Sequence, residues 1–188
     1  AHRASGSSAS VDGSGATVDG STVTISSEGT YIISGELSSG QIVVDASDDA
    51  KVQLVLAGAT IHNENGPAIY AKNVDKCFVT LADGTQNSFS DGTDYTLEDD
   101  SDEPYATLFC RCDLTINGTG ALNVTANYCH GICSKDDLVV TGGTLNVTAV
   151  EDCLRGRDCV KIADGSFSLV SGGDGIKSNK DTEATQAS

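Results

Sequence analysis

Short stretches of alternating apolar and polar residues recur along the second half of the chain at a nearly fixed interval. Ala106, His130, Asp152 and Asp174 stand 24, 22 and 22 residues apart, and the positions downstream of each agree in kind. Leu108, Ile132, Leu154 and Ile176 share one column, Leu114, Leu138 and Val160 a second, and Ile116, Val140 and Ile162 a third. Leu122, Leu145 and Phe167, then Val124, Val147 and Leu169, continue the alignment if the NGTG turn at Asn117 holds one extra residue. Period-two apolar pairs between Gly- and Asp-rich corners predict very short strands. A unit of about 22 residues with two or three such strands cannot bury its own apolar side, so copies must stack. The pattern therefore predicts an all-β parallel β-helix. Successive coils would lie about 4.8 Å apart, with aliphatic ladders filling the interior. The frames of a leucine-rich solenoid and of a calcium-binding nonapeptide roll are both absent, which leaves a β-sandwich as the alternative.

The first half follows the same grammar less cleanly, through Val23/Ile25, Tyr31/Ile33, Ile42/Val44, Val52/Leu54/Leu56, Ile69 and Val79/Leu81. These mark earlier coils of one domain spanning residues 21–181. Residues 91–104 carry the acidic run DGTDYTLEDDSDE and are expected to be a solvated loop insertion. Residues 1–20 are Gly/Ser-rich and read as an N-terminal arm, lying along its own solenoid or against a neighbouring subunit. Residues 182–188 read as a polar tail.

Charge narrows the partners. With 27 acidic against 11 basic side chains, the 188-residue chain has a formal net charge of −16, which excludes nucleic acid as a natural partner. No apolar run approaches the roughly 18 residues of a membrane helix, so membrane insertion is not expected. Met is absent even at position 1, and there are seven Cys. Both are read as marks of a mature product in an oxidising, extracellular setting. Asn117, Asn123 and Asn146 head glycosylation sequons.

The repeat also stacks chemistry. Cys112/Asp136/Asp158 and Asp113/Asp137/Cys159 form adjacent columns, and His130, Asp152 and Asp174 share a corner. Stacked carboxylates repel unless a cation compensates, and calcium takes such oxygen ligands in loose geometry. Asp113, Asp136, Asp137, Asp152, Asp158 and Asp174 are the expected calcium ligands, with Glu151 and Asp181 of second rank; the alternative is that Asp only shapes the corners through local hydrogen bonds. Arg111/Lys135/Arg157 and Phe109/Cys133/Arg155/Lys177 form columns two residues apart, so strand alternation puts both on one outward face. Arg111, Lys135, Arg155, Arg157 and Lys177 are thus the expected contacts for an acidic polysaccharide, unless they only neutralise the Asp ladders. Register suggests disulfides Cys77–Cys112, Cys110–Cys133 and Cys129–Cys153, leaving Cys159 over. A zinc site from Cys110, Cys112, His130 and Cys133 is the alternative use of four of these residues.

The runs GTYIISGELSSGQIVVDA, KVQLVLAGATI, GPAIYAKNVDKCFVTLADGT, DLTINGTGALNVTANY, GICSKDDLVVTGGTLNVTA and SGGDGIKSN resemble a family of bacterial secreted carbohydrate-binding β-helix proteins first recognised in cellulolytic clostridia. The resemblance spans about Gly29 to Asp181. It implies a right-handed, pectate-lyase-like β-helix with bound calcium that binds pectic acid and cellulose-like glycans. By motif, it places calcium at Asp136 and Asp137 of SKDDL, Asp152 and Asp158 of EDCLRGRDC, and Asp174 of GGDGIKS. The chain departs from the family pattern where His130, Gly131 and Ile132 replace a DGI corner, and where Cys153 and Cys159 enter the EDCLRGRDC run.

Three functions follow as expectations. The first is a non-catalytic, calcium-stabilised extracellular module for acidic polysaccharide or cellulose. The second is a subunit of an extracellular filament or coat, self-assembling end to end through the arm and disulfides. The third is a polysaccharide lyase with Lys135, Arg157 or Lys177 as base, which the fold permits without supplying.

Overall fold

The structure is a computed structural model that describes residues 2–3 and 9–179. Asp181 and the tail at 182–188 lie outside the described residues, as does most of 1–8. Two short strands, β1 (His2–Arg3) and β2 (Ser10–Asp12), pair antiparallel. β3 (Ala16–Asp19) folds back antiparallel on β4 (Thr22–Ile25), and β2 does the same on β5 (Gly29–Leu37). Residues 9–20, read from sequence as an arm, therefore close the first end of the molecule.

From β4 onward the chain winds as a parallel β-solenoid of about six turns. β4 and β5 form the first coil, and β6 (Gln41–Asp45) and β7 (Lys51–Asn63) the second. Each later coil has three strands. The third comprises β8 (Ile69–Asn73), β9 (Lys76–Leu81) and β10 (Gln86–Asp91), and the fourth β11 (Ala106–Cys110), β12 (Asp113–Gly118) and β13 (Ala121–Ala126). β14 (His130–Ser134), β15 (Asp137–Val140) and β16 (Thr144–Ala149) make the fifth, and β17 (Leu154–Gly156), β18 (Cys159–Ile162) and β19 (Ser166–Ser171) the sixth. β20 (Ile176–Ser178) then stacks on β17.

Every apolar column expected from the repeat is a ladder. Leu108, Ile132, Leu154 and Ile176 align, as do Leu114, Leu138 and Val160. Leu122, Leu145 and Phe167 align with one extra residue in the Asn117 turn. Gly118 sits in that turn at φ 94°, and a Cβ there would collide with the Leu81 carbonyl. Only glycine allows so close an approach.

The long strand β7 explains why the early coils hide their period. Its first half pairs with β9 and its second half with β10, so one strand covers two faces that later coils build from two. At the bend, the Gly58 and Ala59 N–H groups point inward and donate to Asn87 Oδ1 at 2.9 and 2.8 Å. Asn87 Nδ2 donates onward to the Ala121 carbonyl at 3.1 Å. A fully buried amide thus pegs three coils together, in the column that Leu122 occupies one turn later. Without it, the buried Ala59 N–H would have no partner.

Candidate functional site

The third face of the solenoid, formed by β4, β6, β8, β11, β14, β17 and β20, carries the site on its outer side. Outward side chains of a strand normally meet water, yet Tyr70, Ala106, Phe109 and Cys133 form a second buried cluster there, with Tyr105 packed against it. The segment 92–105 covers them. It is anchored at its start by buried Asp91, whose carboxylate accepts from Tyr95 Oη, from Thr107 Oγ1 at 2.8 Å and from the Asn127 N–H at 2.6 Å. Burial raises the Asp91 pKa against the lowering effect of these donors. Tyr95 stacks on Tyr128 at 4.1 Å, and Tyr105 meets Phe109 edge-on at 4.7 Å.

Asp94, Asp99, Asp100 and Asp102 of the acidic run are exposed, as a solvated loop would have them, but Glu98 and Glu103 reach for the basic columns. Glu98 pairs with Arg111 and, at 3.6 Å, with Lys72, and accepts from Tyr70 Oη at 2.8 Å. Burial alone would raise the Glu98 pKa, but Tyr70, Arg111 and Lys72 outweigh it and hold it low. Glu103 lies 2.6 Å from Lys135 and 3.8 Å from Arg111. The Arg111 guanidinium also sits 5.5 Å from the Tyr70 ring centroid. Tyr95 and Tyr105 among the acids were the available signal: apolar rings at such intervals mark a docked segment, not a free one.

Beside this strap runs a groove of about 640 Å³ over the outer side of the first coils. Its floor is Thr22, Thr24, Gln41 and Val43, alternate residues of β4 and β6. Asn63, Asn65 and Pro67 form one wall, and Tyr70, Thr96 and Glu98 the other. Gln41 Nε2 and Asn63 Nδ2 both donate to the Pro67 carbonyl, at 3.0 and 2.8 Å, which fixes two amide groups at the rim. Hydroxyl and amide groups dominate the lining, and its one lysine, Lys72, is already paired with Glu98. The floor residues and the Asn63–Pro67 wall were not singled out from sequence, because they belong to the coils whose period is hidden.

Of the five expected sugar-contacting cations, Arg111, Lys135, Arg155 and Lys177 lie on the outward side of these strands. Phe109, Cys133, Arg155 and Lys177 align in register. Arg111 and Lys135 are held by the strap. Arg155 approaches His130 Nε2 at 2.7 Å and Asp152 at 3.5 Å, beside a cleft of about 420 Å³ lined by Tyr105, Tyr128, Cys129 and Glu151. Arg157 is exposed and Lys177 half-buried. His130 is buried, and burial with the nearby Arg155 charge lowers its pKa to about 4.

The expected calcium ligands fall into two groups. Asp113, Asp136, Asp137 and Asp158 gather at one corner. There burial, then the Asp113, Asp158 and Asp137 charges, raise the Asp136 pKa while Arg157 opposes them. Asp113 Oδ1 accepts from the Asp137 N–H at 3.2 Å. Asp152 is buried at the other end of β17, where its Oδ1 accepts from the Asp174 N–H at 2.8 Å and its Oδ2 faces Arg155. Asp152 thus serves the corner hydrogen bonds that were the alternative reading. Among the described residues, no three His, Cys, Asp or Glu side chains converge as a ready metal site. The sequon residue Asn146 donates to Asn123 at 2.9 Å across neighbouring coils, and Asn117 accepts from Thr80 at 2.5 Å.

The expected disulfides Cys77–Cys112, Cys110–Cys133 and Cys129–Cys153 are not formed; all seven thiols are free. Register gives the reason. Cys133 aligns with Phe109, and Cys110 with Ser134, so Cys110 and Cys133 face opposite sides of the strand wall. The same wall separates the ligands of the alternative zinc site. Cys153 points into the core, while the Cys129 backbone pairs with Glu151, two residues away. Cys77 aligns with Leu114 instead of Cys112.

The chain resembles known proteins along most of its length. A family model described as carbohydrate-binding domain-containing protein matches residues 19–188. A carbohydrate-binding domain-containing protein of Acetivibrio thermocellus is 41% identical over 122 residues, 64% of this chain. That match spans 43% of the relative's own length. A solved structure, described as the polysaccharide lyase-like protein from C. thermocellum in a gadolinium derivative, matches with a TM-score of 0.88 and 36% identity, covering 93% of this chain and 71% of that one.

Proposed function

The chain belongs to the carbohydrate-binding domain family, and from that premise we propose that it binds a neutral, hydroxyl-rich polysaccharide outside the cell, without catalysis, in the groove over β4, β6 and β8. The observation that carries this reading is the lining: fixed amides and hydroxyls, with the only lysine neutralised by Glu98. Such groups exchange hydrogen bonds with sugar hydroxyls at little desolvation cost. An acidic polysaccharide is disfavoured, because Arg111, Lys135 and Arg155 are engaged by acids of the chain itself and the net charge of −16 repels a polyanion. A cellulose-like glycan is the better match. The test is retention on insoluble cellulose and on polygalacturonate. Retention on cellulose that falls at least tenfold in Gln41→Ala/Asn63→Ala supports the groove, and retention on polygalacturonate alone refutes it.

Calcium is part of the same proposal. Asp113, Asp136, Asp137 and Asp158 suit a hard cation in donor type and charge, although their present spacing is not a closed ligand set. An ion there would relieve the repulsion on Asp136 and tie the fourth, fifth and sixth coils. The gadolinium of the solved relative is a hard cation of similar demands. Calcium is expected to raise the melting temperature and EDTA to reverse that rise, with Asp136→Asn abolishing the response; an unchanged melting temperature removes calcium from the reading.

A further inference from the structure

Inside the solenoid, beneath the strap, three thiols meet. Cys110 ends β11 and Cys112 follows the corner, and their sulfurs are 3.0 Å apart, closer than two unbonded sulfur atoms rest comfortably. Both face the main core together with Cys77 of the preceding coil. Arg111, between them, projects to the opposite side to meet Glu98 and Glu103.

We propose that Cys110 and Cys112 are joined by a disulfide in the oxidised protein, with Cys77 remaining a reduced thiol against that bond. The bond brackets Arg111 and fixes the corner from which it holds the strap. The oxidant is a small disulfide of the glutathione class. The Cys110 thiolate attacks it and releases one glutathione thiolate, giving a mixed disulfide; the Cys112 thiolate then attacks the Cys110 sulfur and releases the second glutathione. The two thiol protons pass through solvent to the two released glutathione thiolates, so two protein thiols are oxidised and one glutathione disulfide is reduced to two glutathione thiols.

The timing follows from burial. In the folded chain, burial and the neighbouring thiols push the Cys110 pKa well up, and the Cys110 contact with burial does the same for Cys112. Both stay protonated and inert at neutral pH. The bond therefore forms while the chain folds, before the next coil closes the interior.

The experiment is refolding of the full chain in a glutathione/glutathione disulfide buffer, followed by denaturation, blocking with N-ethylmaleimide and intact-mass measurement. Seven thiols less one pair leaves five blocked sites in the parent chain. Cys77→Ser keeps the pair, whereas Cys110→Ser and Cys112→Ser each lose it. Cleavage after Arg111 separates Cys110 from Cys112, so fragmentation of the linked peptides of the parent protein locates the bond even if a variant fails to fold. Seven blocked thiols in the parent chain, a pair that survives Cys110→Ser, or a pair lost in Cys77→Ser would each overturn the proposal.

Discussion

β13, β16 and β19 present the same inward pattern to the interior, but among the described residues no strand stacks beyond β19. Leu122, Val124, Leu145 and Val147 are at most 1% exposed, whereas Phe167 and Leu169, in the same columns, are only partly buried. At the other end Val23 and Ile25 are as well sealed as the middle coils, because β3 and β2 fold back over the first turn. Burial in a solenoid is thus set by the next coil, not by the residue. A ladder without a neighbour behaves as surface, however apolar its sequence.

Truncation should expose this difference most strongly. Leu145→Ala removes a sealed side chain between two coils and is expected to cost about 2–5 kcal/mol, while Leu169→Ala should cost about 1 kcal/mol, since less apolar surface leaves water there. Urea unfolding of both variants measures the gap, and equal losses would mean that the last coil is packed like the others. A polar side chain in the sealed region extends the comparison. His130 stays neutral in the fold because its pKa is lowered from 6.5 to about 4. The unfolded chain then binds the extra proton first. Stability is full above about pH 6.5 and is lost as pH falls toward 4, by roughly 3 kcal/mol. His130→Gln should flatten that part of the stability curve, and an unchanged slope would place the titration elsewhere. The smallest effect belongs to the strap. Arg111→Gln is expected to cost about 1 kcal/mol or less, because Arg111 and Glu98 are both partly exposed. Amide exchange in residues 92–105 should nevertheless accelerate while β13 and β16 stay protected.

The later coils were legible because each column repeats one chemical type, as Leu114, Leu138 and Val160 do. The earlier coils were not, because β7 merges two faces and the column of Leu122 holds Asn87 there, an amide needed by the Gly58 and Ala59 N–H groups. The groove fell in that unreadable part. The basic columns were found, but their partners were missed: Glu98 and Glu103 are far from Lys72, Arg111 and Lys135 in the repeat alignment and near them only through the fold of the strap. The cysteines misled because spacing gives the rung and not the side of the wall, and Cys110 and Cys133 differ in side.

The strap leaves the stack at Asp91 and rejoins it at Ala106, with β10 and β13 in unbroken register across the excursion. Its length is therefore decoupled from the register of the scaffold that carries it, while its composition is tied to that scaffold through Tyr95, Glu98, Glu103 and Tyr105. A segment of another length fits the same gap without shifting a rung, provided it again covers Phe109 and Tyr70 and pairs with Arg111 and Lys135.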